Sequence, residues 1–183
     1  MEKIIFLDRD GVINQGKSPG YIASWEEFNF LPGVFVALKK LTEAGYKIII
    51  ISNQQGIGKR LYSTKVLADI TEKMLERIKR NEGKIYSVHY CPHLAEENCI
   101  CRKPKTGLFK QAIAGMMVDR KSMFMVGDSE KDIHAARDFG IKSILVLSGN
   151  TKSRQEVGNF EYRPDFIADD LADAVDNIIL ENA

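Results

Sequence analysis

Asp8 and Asp10 stand one residue apart in Phe6-Leu7-Asp8-Arg9-Asp10-Gly11, directly after the apolar run Ile4-Ile5-Phe6-Leu7. Side chains alternate along an extended segment, so the two carboxyl groups share one side of it. Asp128 follows the apolar run ending in Val126-Gly127, and Asp132 lies one helical turn beyond. Carboxylates gathered in one place repel one another unless a cation sits among them. Hard oxygen donors around an open position suit Mg2+. Lys103 offers a positive charge that can neutralise a bound phosphate, and Ser52 a hydroxyl at the end of another apolar run. A hydroxyl and following backbone N–H groups can hold the non-bridging oxygens. These are the parts that phosphoryl transfer needs, because that chemistry depends on positioning and charge neutralisation. A carboxylate nucleophile would further divide the barrier to monoester hydrolysis into two steps. Asp132 reads either as support for the metal or as a helix-surface carboxylate. His134 reads as a solvated helix residue and His89 as packed in a strand.

A second constellation is made of softer ligands. Cys91-Pro92-His93 and Cys99-Ile100-Cys101 place three thiols and an imidazole in one short stretch. Five residues between the pairs are enough for the loop to fold back around one ion, and the set matches a Cys3His tetrahedral zinc site. Four protein ligands leave no place for a substrate, so such a zinc is structural. The loop runs into Arg102-Lys103 and would hold both in place.

The elements that must position these groups alternate in type. Buried strands are expected at Ile4–Leu7 and Tyr46–Ile51, and further strands at Ile85–Tyr90, where the alternation is weak, Met123–Val126 and Ser143–Leu147, with a short one near Phe166-Ile167. Helical spacing marks the segment containing Val34, Leu38 and Leu41, and the segment from Ser63 or Thr64 to before Gly83. Further helices are expected at Thr106–Met116, Glu130–Phe139 and Asp169 to about Leu180. Alternation of this kind predicts an α/β domain with a Rossmann-like parallel sheet flanked by helices on both faces. In such sheets the chemistry collects at the carboxyl ends of the strands, where Asp8, Ser52 and Asp128 fall. The irregular segments are 15–30, 92–105 and 149–163.

With 183 residues, the chain suits one domain spanning 1–183, with a zinc loop at about 91–101. Lys and Arg number 26 against 25 Asp and Glu, so no general field favours nucleic acid or an acidic membrane. The start of the chain has no secretory pattern, and the odd cysteine count is unsuited to a disulfide scaffold. These features lead to the expectation of a cytoplasmic monomer without membrane or nucleic-acid partners.

Phe6-Leu7-Asp8-Arg9-Asp10-Gly11-Val12-Ile13-Asn14 resembles the first motif of the haloacid-dehalogenase (HAD) superfamily of phosphatases. Ser52, Lys103 and Gly127-Asp128 fall where its other motifs belong. The resemblance implies a HAD-like fold with Asp8 as the nucleophile that forms an aspartyl-phosphate and Asp10 as acid and base. It implies that Ser52 and Lys103 bind the phosphoryl group. Asp8, the main-chain carbonyl of Asp10, and Asp128 would hold Mg2+. Cys-Pro-His, a short loop, then Cys-x-Cys-Arg-Lys-Pro is similar to the zinc-containing branch, which comprises heptose-1,7-bisphosphate and histidinol-phosphate phosphatases without a large cap domain. For Zn2+ the ligands would be Cys91, His93, Cys99 and Cys101.

The stretches Gly20-Tyr21-Ile22 and Trp25-Glu26-Glu27-Phe28 are similar to the heptose group. The implied substrate is a small phosphorylated metabolite, D-glycero-D-manno-heptose 1,7-bisphosphate, losing its 7-phosphate in nucleotide-heptose biosynthesis. Ser18, Pro19, Gly20, Tyr21, Asn53, Gln54, Gln55 and Arg102 would lie near the sugar and its distal phosphate. Gln55-Gly56-Ile57-Gly58-Lys59-Arg60 departs from the heptose pattern and is partly closer to the histidinol-phosphate group. Histidinol phosphate, in histidine biosynthesis, is therefore the alternative substrate. A phosphoacceptor signalling domain is a rival of a different class, but it would need neither Asp10 nor a zinc loop.

Overall fold

The structure, a computed structural model, describes residues 2–182. β1 (Ile4–Leu7) is buried at every position, as a central parallel strand covered on both faces must be. Beside it run β2 (Lys47–Asn53) and β4 (Phe124–Gly127), with β3 (Ile85–Cys91), β5 (Lys142–Val146) and β6 (Phe166–Ala168) further out. The six strands form one parallel sheet in the order β3-β2-β1-β4-β5-β6. The order reverses at β1, so a crevice opens beyond the carboxyl ends of β1 and β4. Asp8 and Asp128 are the first residues past those two ends.

Strand alternation divides the core into two layers. Ile5, Leu7, Ile48, Ile50 and Val126 face α1 (Val34–Glu43), α2 (Thr64–Arg80) and α5 (Leu171–Ala174). Ile4, Phe6, Ile49, Ile51 and Met125 face α3 (Gly107–Ala112) and α4 (Glu130–Phe139). In the second layer Phe6 meets Phe109 at 4.8 Å, and Phe109 meets Phe139 at 5.0 Å between ring centres. These contacts seat α3 and α4 beneath the crevice. Ser63 caps α2 by accepting from the Val66 N–H at 3.2 Å.

Two helices differ from expectation. The segment Thr106–Met116 is helical only to Ala112; it tightens through an Ala114 N–H to Gln111 bond and turns at Gly115, whose φ is +77°. A left-handed residue cannot continue a right-handed helix. The last helix, expected to run unbroken, widens after Ala174 into a π-helical turn at Val175–Ile179 that buries Val175, Ile178 and Ile179. His134 is not freely solvated: its ring stacks on Tyr162 at 4.1 Å and its Nε2 lies 3.2 Å from Asp138. No helix among the described residues is long and apolar enough to cross a membrane.

Candidate active site

Lys103 is the centre of the crevice. Its Nζ lies 2.6 Å from Asp132 Oδ1 and 3.1 Å from Asp8 Oδ2, and it donates to the Ile51 carbonyl at 2.9 Å. The chain there belongs to no helix or strand, and Asn53 at the end of β2 fixes it. Asn53 Oδ1 accepts from the Lys103 N–H and Asn53 Nδ2 donates to the Lys103 carbonyl, both at 3.0 Å. Asp132 is buried, which excludes the helix-surface reading. It forms a capping box with Ser129 at the start of α4, accepting from the Ser129 hydroxyl at 2.7 Å. One oxygen thus serves the helix and the other serves Lys103.

Asp128 is buried opposite Asp8. Its Oδ2 accepts from the main-chain N–H of Asn150 at 2.6 Å and from its side-chain amide at 2.7 Å. Gly11, at φ +85°, and Gly149 close around the same carboxylate. A Cβ on either would stand 2.1 or 1.9 Å from Asp128 Oδ2, so a side chain at either position would displace the ligand group. The start of the 149–163 segment therefore has a defined task beside Asp128.

Asp8, Asp128 and Asp132 each present an oxygen, and these oxygens lie within 4.8 Å of one another. Burial pushes Asp8 up to about 6; Lys103 opposes the shift, while Asp132 and Asp10 add to it. Burial likewise pushes Asp128 up to about 8, with Asp132 and Asp8 contributing. Lys103 is held above the ordinary lysine range, because Asp132 and Asp8 outweigh its burial. One lysine among these carboxylates leaves uncompensated negative charge. With Asp132 committed to Lys103 and Ser129, Asp8 and Asp128 are the oxygen donors that fit a hard divalent cation. The Asp10 carboxylate turns away from this cluster toward Arg9, at 2.9 Å, so any contribution of Asp10 to a metal must come from its main chain.

Beside the cluster lies a cavity of about 370 Å3, lined by Asp8, Asp10, Ser52, Asn53, Arg102 and Lys131 among others. Ser52 Oγ accepts from Gln54 Nε2 at 3.1 Å, which leaves its own proton free to donate. At the mouth, Arg102 Nη2 donates to Gln55 Oε1 at 3.0 Å, and Gln55 Nε2 donates to the Tyr21 hydroxyl at 2.7 Å. Lys59 Nζ stands 5.5 Å from the Tyr21 ring centre. Ser18, Pro19 and Gly20 are exposed on the same loop as Tyr21. Gln54, by contrast, is buried, and its amide is spent on Asp10, Ser52, Arg9 and Tyr62. The side chain expected beside the sugar faces inward.

The cysteine loop closes on itself next to this mouth. Cys91 Sγ is 3.6 Å from Cys99 Sγ and 3.3 Å from Cys101 Sγ, and those two are 3.4 Å apart. His93 Nδ1 lies 3.6 Å from Cys91 Sγ and 3.2 Å from Cys101 Sγ. Disulfide sulfurs would be about 2.0 Å apart. Ligand sulfurs at about 2.3 Å from a tetrahedral zinc stand roughly 3.8 Å apart, close to the spacing observed. The Arg102 carrying the mouth contacts follows Cys101 directly and donates to the His93 carbonyl at 3.4 Å.

Arg9, Asn14, Tyr62 and Asn150 complete the site without having been singled out in the sequence. Arg9 alone had a signal: a charge between two carboxylates, in a segment continuing from a fully buried strand.

A parallel sheet reversing at β1, with acidic residues and a buried lysine at the reversal, defines a HAD-like phosphatase. Residues 100–174 match the HAD-hydrolase-like family. The chain belongs to the D-glycero-D-manno-heptose-1,7-bisphosphate 7-phosphatase family within that class. It is 38% identical over 149 residues to the D-glycero-beta-D-manno-heptose-1,7-bisphosphate 7-phosphatase of Helicobacter pylori J99, covering 81% of this chain and 84% of the relative. The Haemophilus ducreyi protein of the same name is 35% identical over 182 residues, 95% of this chain and 97% of its own. The crystal structure of the D,D-heptose 1,7-bisphosphate phosphatase from B. bronchiseptica, complexed with magnesium and phosphate, superposes with a TM-score of 0.89 at 32% identity. It covers 98% of this chain and 99% of that one. The HAD fold implies a divalent metal, which the carboxylate donors described above fit.

Proposed function

We propose that this chain, acting as one phosphatase domain, removes the 7-phosphate of D-glycero-D-manno-heptose 1,7-bisphosphate in nucleotide-heptose biosynthesis. The observation that carries the chemistry is the pairing of Lys103 with both Asp8 and Asp132 on the wall of a polar cavity. The named relatives support the heptose over histidinol phosphate as substrate.

In this reading Asp8 attacks phosphorus in line with the departing sugar oxygen. The new Asp8–phosphorus bond forms as the phosphorus–sugar oxygen bond breaks, and Asp10 gives its proton to that oxygen. Asp10 then takes a proton from water, which attacks phosphorus and frees Asp8 and inorganic phosphate. Lys103 and the Ser52 hydroxyl hold the phosphoryl oxygens throughout. Mg2+ held by Asp8, Asp128 and the main-chain carbonyl of Asp10 supplies charge neutralisation on the phosphoryl group. Cys91, His93, Cys99 and Cys101 would hold Zn2+, which would fix the loop that carries Arg102 and Lys103. At the cavity mouth, Arg102, with its planar fork of donors, meets the distal phosphate.

Phosphate release should be measured from purified protein with Mg2+ on the heptose bisphosphate and on histidinol phosphate. The heptose compound should show the larger kcat/KM; the reverse order would overturn the substrate assignment.

A further inference from the structure

Among fully buried side chains the largest is that of Arg9, a permanent cation. Its Nη2 lies 2.9 Å from each oxygen of Asp10, and its Nε lies 3.3 Å from Oδ1. The guanidinium carbon sits 5.8 Å from the ring centres of both Phe28 and Tyr90. Asp10 receives two more bonds: Asn14 Nδ2 donates to Oδ1 at 2.9 Å and Gln54 Nε2 donates to Oδ2 at 2.8 Å. Gln54 is fixed in turn, because its Oε1 accepts from Tyr62 at 2.6 Å and from Arg9 Nη2 at 3.3 Å. Gly56 admits the Tyr62 ring, since a Cβ there would stand 2.2 Å from Tyr62 Cε1.

We propose that Arg9 and Gln54 are positioning residues for proton transfer, clamping Asp10 so that its remaining open side faces the leaving-group oxygen in the cavity. The proposal rests on the reading of Asp10 as proton donor and acceptor. Stability alone gives a weak account of the arrangement. Desolvating an ion is costly, and a buried pair offsets that cost only when its remaining polar atoms are satisfied. Arg9 Nη1 has no hydrogen-bond partner, so the pair is incompletely satisfied, and apolar side chains at both positions would serve stability as well. What an apolar side chain could not do is fix a carboxylate that is open to the cavity on one side. Both oxygens of Asp10 are held from the protein side by three residues, which leaves one approach, from the cavity where Asp10 lies beside Asp8 and Ser52.

Leaving-group dependence separates this role from general damage. Protonation matters for a sugar alkoxide and hardly at all for p-nitrophenolate, which departs unprotonated. Arg9→Lys keeps the charge but loses the fork, Arg9→Met loses both, and Tyr62→Phe removes only one of the two bonds that fix Gln54 Oε1. On a sugar bisphosphate, kcat should fall about 10- to 100-fold for Arg9→Lys, further for Arg9→Met and less for Tyr62→Phe, with KM little changed. On p-nitrophenyl phosphate, the first-turnover burst of p-nitrophenolate should stay within about threefold for all three. Phosphorylation of Asp8 by this leaving group draws on none of the acid's contribution of roughly 10^2 to 10^4, whereas later turnovers still need Asp10 as base for the water step. A p-nitrophenolate burst slowed as much as sugar-phosphate turnover, or no loss on the sugar phosphate, would overturn the clamp. If Arg9→Met fails to fold, Arg9→Lys and Tyr62→Phe decide the matter. Asp10→Asn distinguishes the two levels: retained sugar-phosphate turnover refutes the role of Asp10 itself. Lost turnover with unaffected Arg9 and Tyr62 variants refutes the clamp alone.

Discussion

Asn53 and Lys103, fifty positions apart in the chain, hold each other by two 3.0 Å hydrogen bonds between the amide of one and the main chain of the other. A strand end thereby sets the height at which a loop lysine enters the acidic cluster. Asn53→Ala should remove both bonds, at a cost of about 1–2 kcal/mol in stability. It should also lower kcat at least about tenfold as Lys103 drifts from the phosphoryl position. Thermal melting and steady-state kinetics on the same preparation check both. A loss of stability without a loss of kcat would show that Lys103 keeps its place unaided.

Asp8 at about 6 and Asp128 at about 8 both lie above the ordinary aspartate value of 3.8. The folded, metal-free protein therefore holds more protons than the unfolded chain between about pH 4 and pH 8. Stability falls with rising pH wherever the native state binds the extra protons. Melting of the metal-free protein should accordingly move to lower temperature as pH rises through this window. Mg2+ competes with those protons, so the stabilisation it confers should grow over the same range. Melts with and without Mg2+ from about pH 5 to pH 8.5 test this; a Mg2+ shift independent of pH would contradict it.

What was legible in the sequence followed from strand polarity and periodicity. Asp8, Ser52 and Asp128 could be placed together because each ends an apolar run, and parallel strands bring such ends to one edge. The cysteine loop was legible because ligand type and spacing suffice. Less was legible where a role depends on which side chain meets which across the sheet. Asn53 and Gln54 sit beside each other in sequence, yet one braces Lys103 and the other faces inward to Asp10 and Ser52. Asp132 was ambiguous because its helix position permits both burial and exposure, and only Lys103 from a distant loop decides between them. Asn150 carried no pattern at all; it reaches Asp128 because Gly149 lets the chain pass against the carboxylate.

The spacing of the cysteine cluster leads to a metal prediction. Elemental analysis should find about one zinc per chain, as a Cys3His set binds one ion. Stripping it with a chelator should lower the melting temperature and reduce turnover, because Arg102 and Lys103 follow the last ligand directly. Cys99→Ser, which removes a ligand nearer the surface than the buried Cys91, should weaken zinc retention with less damage to the core. Protein that is free of zinc yet fully active would remove the loop from the account of the site.

Asp8→Asn tests the nucleophile most directly. An amide is nearly the size of the carboxylate, so the cavity keeps its shape, and Lys103 keeps its 2.6 Å partner Asp132. The amide cannot form the acyl-phosphate bond, so turnover should fall to background with every monoester, activated leaving groups included. The first turnover separates Asp8 from Asp10: loss of Asp8 abolishes the initial release of p-nitrophenolate, whereas loss of Asp10 should spare that release and slow the later hydrolysis. The substitution also removes one of the buried charges that repel Asp128. Because burial and the neighbouring carboxylates outweigh the attraction of Lys103 for Asp8, the metal-free variant should melt no lower than the parent at neutral pH. A folded Asp8→Asn protein that still released phosphate would place the nucleophile elsewhere.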